Sequence, residues 1–170
     1  MTIHHDLLDQ AAHLGTKEPR RPRQASLRRA VSTAYYALFH LLIDGGAKSL
    51  SSARPTALRQ RIGRAFTHVD MKNVCKQFAQ GSSANLDPAT EALIVAPLEP
   101  ELARIADAFR ILQEERHRAD YDLSAPFERF DVLQKIDLAR RAFTDWQAVR
   151  QTNNAKVFLA ALLFQARWNK

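Results

Sequence analysis

The chain reads as an all-α protein, a single antiparallel bundle of about five to six helices, and three observations carry that prediction. Glycine is scarce, five in 170 residues, and β-branched runs are few. Long stretches are rich in Ala, Leu, Arg and Gln, residues that favour helix. Apolar positions recur at helical spacing, as in Leu102, Ile105, Ala106, Phe109 and Leu112. A chain of this length can bury roughly 70% of its unfolded surface around one core, so residues 1–170 are expected to form one domain.

Residues 3–14 suit a short first helix stopped at Gly15. Residues 17–23, with Pro19 and Pro22, form a basic connector. The central helix is expected over 24–43, ended by Gly45-Gly46. Pro55 fits the first turn of a helix over 55–79, with Gly63 inside it and Gly81-Ser82-Ser83 after it. Residues 84–100 hold Pro88, Pro97 and Pro100 and read as a long loop with one turn near 89–95. A strong helix follows over 101–122, Pro126 breaks the chain, and another helix runs over 127–152. Asn153-Asn154 separates it from a last apolar helix, 153–170. Phe158, Leu159, Leu162, Leu163 and Phe164 there give it more apolar surface than a terminal helix needs, so it should pack on the bundle or on a second subunit.

The formal net charge is +7, unevenly placed. Residues 1–80 carry thirteen Lys/Arg against five Asp/Glu, a net of +8, and the remainder twelve against thirteen. A basic half suggests a polyanion such as nucleic acid, although solubilising charge on exposed helix faces gives the same count. The single cysteine, Cys75, excludes an internal disulfide and a cysteine-rich zinc site, and fits a reducing compartment. His4, His5 and Asp6 stand where a secretory signal would carry its apolar core, which points to the cytoplasm. The apolar run 157–168 falls far short of the ~20 residues a bilayer span needs, so no membrane is expected. There is no phosphate-cradling glycine loop, no Gly-x-Ser-x-Gly elbow and no His-Glu-x-x-His, and His4, His5 and His13 make no convincing metal set. No cofactor and no metal are expected.

Two clusters remain. On the central helix Arg29, Ser32, Tyr36 and His40 fall on one stripe, with Arg28, Tyr35 and Phe39 on the next. A buried hydroxyl or imidazole there must find a partner, because an orphaned polar group costs ~1–3 kcal/mol. The plain alternative is a core with amphipathic tyrosines and a satisfied histidine. In the second cluster, Arg116 and Asp120 are four apart, as are His117 and Tyr121, so each pair shares a helix face. Arg116–Asp120 is either a simple intrahelical ion pair or a guanidinium held in place for a phosphate. His117 beside it can act as acid or base near neutral pH. Arg59 and Arg61, with Arg54 and Arg64, could lie on phosphates or simply face solvent.

The phrase Ser-Thr-Ala-Tyr-Tyr-Ala-Leu-Phe-His at 32–40, followed by Arg-His-Arg-Ala-Asp-Tyr at 116–121, resembles the HEPN superfamily, over residues 24–150. It is closest to small prokaryotic members with Ser-x-Ala-Tyr-Tyr-Ala-x-Phe-His and Arg-x-x-Ala-Asp-Tyr motifs. The resemblance implies a helical bundle, usually dimeric, that acts on or binds RNA. Many members are metal-independent endoribonucleases of toxin–antitoxin or defence systems, with an antitoxin or a nucleotidyltransferase as partner. In those, an Arg followed after four to six residues by a His contributes to a cleft at the dimer interface. Carried over, Arg116 is that Arg and His117 the polar residue after it. Tyr121 stands where the shortest spacing would place the His, and the literal spacing Arg110…His117 lies within an apolar helix. The expected catalytic set is Arg116, His117, Asp120, Tyr121 and His40, with Arg29, Ser32, Tyr36, Arg118, Arg59 and Arg61 contacting nucleic acid. The alternative is a non-catalytic module that binds a nucleotide, RNA or protein and has lost the catalytic His.

Overall fold

The computed structural model describes residues 2–51 and 56–168. They form eight α-helices and a single 3₁₀ turn at Ser83–Asn85, with no strand among them. In order these are α1 (Ile3–Thr16), α2 (Gln24–Leu50), α3 (Thr56–Arg64), α4 (His68–Phe78), α5 (Pro88–Glu91), α6 (Pro100–Tyr121), α7 (Arg129–Val149) and α8 (Asn153–Trp168). The all-α class stands; the helix count exceeds the expected five to six. No helix among the described residues is long and apolar enough to cross a membrane. Arg54 and Pro55, given a cation's role and a helix start above, lie outside the described residues.

Two features raise the count. The helix expected over 55–79 is split, because Thr67 caps a new start: the Asp70 N–H donates to Thr67 Oγ1 at 3.1 Å and the Thr67 hydroxyl to the Asp70 carboxylate at 2.8 Å. In the 84–100 loop, Asp87 accepts from the Ala89 N–H at 3.0 Å and starts the short α5 at Pro88. The central helix also does not stop at Gly45-Gly46 but continues to Leu50. Those glycines admit neighbours instead: a Cβ on Gly46 would stand 2.5 Å from Phe66 Cζ, and one on Gly45 2.9 Å from Trp146 Cζ2.

The chain divides into two compact units, residues 1–40 with 108–143 and residues 41–107 with 144–170. In the first, Val31, Tyr35 and Leu38 of α2, Phe109 and Leu112 of α6, and Val132 and Ile136 of α7 are fully or almost fully buried. Side chains of this kind contribute ~1.5–3 kcal/mol each by leaving water. The Tyr35 and Phe109 rings meet at 5.4 Å. At Gly15 of α1 a Cβ would sit 2.9 Å from Ile136 Cδ1, so α1 closes tightly on α7.

In the second unit α8 packs on α4, with Phe78 and Phe158 ring centroids 4.8 Å apart. Phe158, Leu159, Leu162 and Leu163 are buried and Phe164 is half-buried, so the chain itself covers most of this apolar face. Asn154, only 2% exposed, clamps the segment before α6. Its amide accepts from the Val95 N–H at 2.8 Å and donates to the Val95 carbonyl and the Glu99 carboxylate, both at 2.8 Å.

Candidate functional site

Both sequence clusters contribute to the first unit, and there their side chains meet. Ser32, almost fully buried on α2, donates its hydroxyl to Asp120 Oδ1 on α6. The other Asp120 oxygen lies 2.8 Å from Arg116 Nε, an ion-pair contact rather than a well-aligned hydrogen bond. Arg116 Nη2 donates to the Tyr36 hydroxyl at 3.0 Å, which closes the chain one turn further along α2. The four-residue spacings Ser32–Tyr36 and Arg116–Asp120 are therefore complementary: one helix turn on each side places two polar groups opposite two others.

The guanidinium is enclosed by aromatic rings, with its carbon 5.5 Å from the Tyr36 centroid, 5.6 Å from Tyr121 and 6.0 Å from Tyr35. Its side chain keeps 18% of its exposure. Partial burial opposes the charge, but the Tyr36 hydroxyl and the Asp120 carboxylate outweigh it and raise the Arg116 pKa above the ordinary arginine value. Arg116 is thus a fixed, permanent cation with N–H groups to spare. His117 is exposed, and its ring lies 4.9 Å from that of Tyr121, itself 64% exposed. His40 is half-buried, one turn beyond Tyr36, whose ring centroid is 6.4 Å from its own, with Phe39 at 5.5 Å. Burial pushes its imidazole pKa below the usual value, so the neutral ring dominates at pH 7.

The remaining assigned residues lie elsewhere. Arg29 is exposed on α2. Arg118 turns to the α6–α7 connection, 3.6 Å from Glu115, donating to the Pro126 carbonyl at 3.3 Å and lying over the Phe127 ring. Arg59 and Arg61 belong to the second unit; Arg59 donates to the Ser51 carbonyl at 3.2 Å and Arg61 is exposed. Arg110 pairs with Glu114 on its own helix at 3.4 Å. Among the described residues no group of three or more His, Cys, Asp or Glu is placed to hold a metal ion. Burial pushes the Cys75 thiol far up, which leaves it unreactive.

Sequence reasoning missed what holds this cluster in place. Arg28 donates to four carbonyls at and just past the end of α6, those of Ala119, Asp122, Leu123 and Ala125, at 2.6–3.2 Å. It thereby satisfies acceptors that a helix C-terminus leaves open. Gln24 pairs with both backbone groups of Phe127, at 2.8 and 2.9 Å. Asp122 accepts from the Ser124 hydroxyl and from the Ser124 and Ala125 N–H groups, and these bonds, led by the hydroxyl, hold its carboxyl below the usual range. Only the last had a signal in the sequence, an Asp followed two residues later by Ser. No protein-family model, curated protein or solved structure matches this chain.

Proposed function

We propose that this chain is an RNA-directed protein with a HEPN-like helical bundle, and that the Arg116 cluster is a metal-independent endoribonuclease site. The observation that carries the reading is the chain Ser32–Asp120–Arg116–Tyr36, which fixes a partly exposed guanidinium beside the solvent-facing His117 and Tyr121. A phosphodiester needs a rigid cation against its charge, one group to take the proton of an attacking 2′-hydroxyl and one to protonate the departing 5′-oxygen. Arg116 supplies the first. His117, exposed, and His40, held neutral, are the groups able to move protons, with Asp120 and Tyr121 orienting them. A cytoplasmic homodimer, with an antitoxin or a nucleotidyltransferase as further partner, belongs to the same proposal.

One observation favours a second reading. Asp120 already neutralises Arg116, so a phosphate must share that cation, which suits a site that binds RNA without cutting it. The experiment is cleavage of mixed single-stranded and structured RNAs in EDTA by the wild type and by Arg116→Ala. Cutting that falls about 10²–10³-fold in the variant, the usual loss for a transition-state charge contact, supports the nuclease. Salt-sensitive binding without cutting, weakened in the variant, makes the cluster a binding module.

A further inference from the structure

Between α1 and α2 the chain reads Lys17-Glu-Pro-Arg-Arg-Pro-Arg23, and all four cations are exposed. Among the described residues the Arg20 and Arg21 guanidinium groups have no hydrogen-bond or ion-pair partner, and Lys17 and Arg23 face Glu18 only through space, with no carboxylate in ion-pair contact. This sets the strap apart from α6 and α7 of the same unit, where Arg116, Arg118, Arg140 and Arg141 each have a carboxylate within 4 Å. The one acid in the strap is committed internally: Glu18 accepts from the Ser26 hydroxyl at 2.9 Å and from the Arg23 N–H at 3.4 Å.

The strap is anchored as well as basic. Arg129, the first residue of α7, donates one guanidinium nitrogen to the Pro19 carbonyl at 2.6 Å and another to the Glu18 carbonyl. Two prolines and the Arg129 anchor restrain the backbone of the segment, so less main-chain entropy is lost when its cations engage a ligand. One residue past the anchor, Phe130 is 70% exposed.

We propose that this strap and Phe130 form a binding track for single-stranded RNA, with phosphates on Lys17, Arg20, Arg21 and Arg23 and a base on the Phe130 ring. The track deepens the RNA reading given above and rests on it, but it lies outside the Arg116 cluster. Exposed cations in a row meet a polyanion by charge complementarity, and an exposed aromatic one residue past the strap's anchor offers the flat face that an unpaired base stacks on. An acidic amphipathic helix would need a continuous apolar groove rather than one ring.

The test is binding of a labelled, unpaired oligouridine over a salt series, by the wild type and by the quadruple variant Lys17→Gln, Arg20→Gln, Arg21→Gln, Arg23→Gln. On single strands each phosphate contact contributes roughly 0.7 to the slope of log affinity against log salt, so the variant's slope should fall by about two to three. Phe130→Ala should weaken binding about ten-fold and leave the slope unchanged. Oligouridine binding that the quadruple variant keeps intact overturns the track and leaves the RNA reading standing. Failure of the wild type to bind oligouridine at low salt overturns the track, and failure to bind or cut the mixed single-stranded and structured RNAs as well overturns the RNA reading. Strap-dependent binding of phosphatidylserine vesicles in place of RNA overturns the track and assigns its cations to a membrane surface.

Discussion

In the second unit, Asn154 spends a neutral amide on the backbone of Val95 and the carboxylate of Glu99 and is closed to solvent. In the first, Arg116 carries a full charge, shares it with Asp120 and Tyr36, and still reaches the surface between exposed His117 and Tyr121. A neutral amide that bonds mainly to backbone stabilises a loop and leaves nothing for a ligand. A charged group that is only partly satisfied stabilises less and keeps N–H groups for something else. Both clusters are hydrogen-bonded, so bonding alone does not mark a functional site; spare bonding capacity at a solvent opening does.

The contrast is sharpened most by Asn154→Ala. It leaves the Val95 N–H and carbonyl and the Glu99 carboxylate without their partner, and should cost about 2 kcal/mol in urea unfolding. RNA binding by refolded protein at low temperature should be unaffected. Asn154→Asp should recover little, because a carboxylate cannot donate to the Val95 carbonyl and adds charge beside Glu99. A loss below about 0.5 kcal/mol would mean that water replaces the amide and that the site is not a clamp.

Arg28 tests the opposite side of the comparison, a charged residue of the first unit that is structural. Its fork reaches four carbonyls across the end of α6, and Arg28→Ala should cost about 1–2 kcal/mol. The fraying should appear as faster amide exchange at Tyr121 and Asp122, just past the Arg116–Asp120 pair. Arg28→Lys should restore less than half, since a single ammonium cannot span that arc of acceptors. Full restoration by lysine would show that charge at the helix C-terminus, not the fork, is what α6 requires.

What was legible followed from helical period. The apolar stripe of α6 and the spacings 32–36 and 116–120 place side chains on faces without knowledge of the partner helix, and those residues do meet. Arg28 was opaque for a physical reason: its acceptors are main-chain carbonyls more than 90 positions away, and carbonyls carry no sequence. Gly45-Gly46 was misread because a glycine that ends a helix and one that admits Phe66 or Trp146 look alike until the neighbour is placed. The Thr67–Asp70 cap is legible as a Thr with an acid three residues on, but the apolar pattern running through 55–79 masks it. The surplus apolar surface of α8 is legible in the sequence, yet nothing there says that Phe78 meets it.

The smallest expected effect concerns His40, the member of the stripe with no hydrogen bond to either ring nitrogen among the described residues. Burial against the Tyr36 and Phe39 rings penalises its charged form, so its folded pKa lies below the 6.5 of an unperturbed histidine. A depressed pKa means that the unfolded chain takes up a proton before the folded one does. The stability tied to a neutral His40 is therefore fully present above pH 6.5 and is lost as pH falls towards the folded value. His40→Phe keeps the ring and removes the titration, so its urea midpoint should decline less than the wild type's between pH 8 and pH 5.5. Parallel declines would place the proton uptake on other histidines. If the midpoints diverge as expected, the same neutral imidazole stands one turn from the hydroxyl that Arg116 holds, in the protonation state a general base requires at neutral pH.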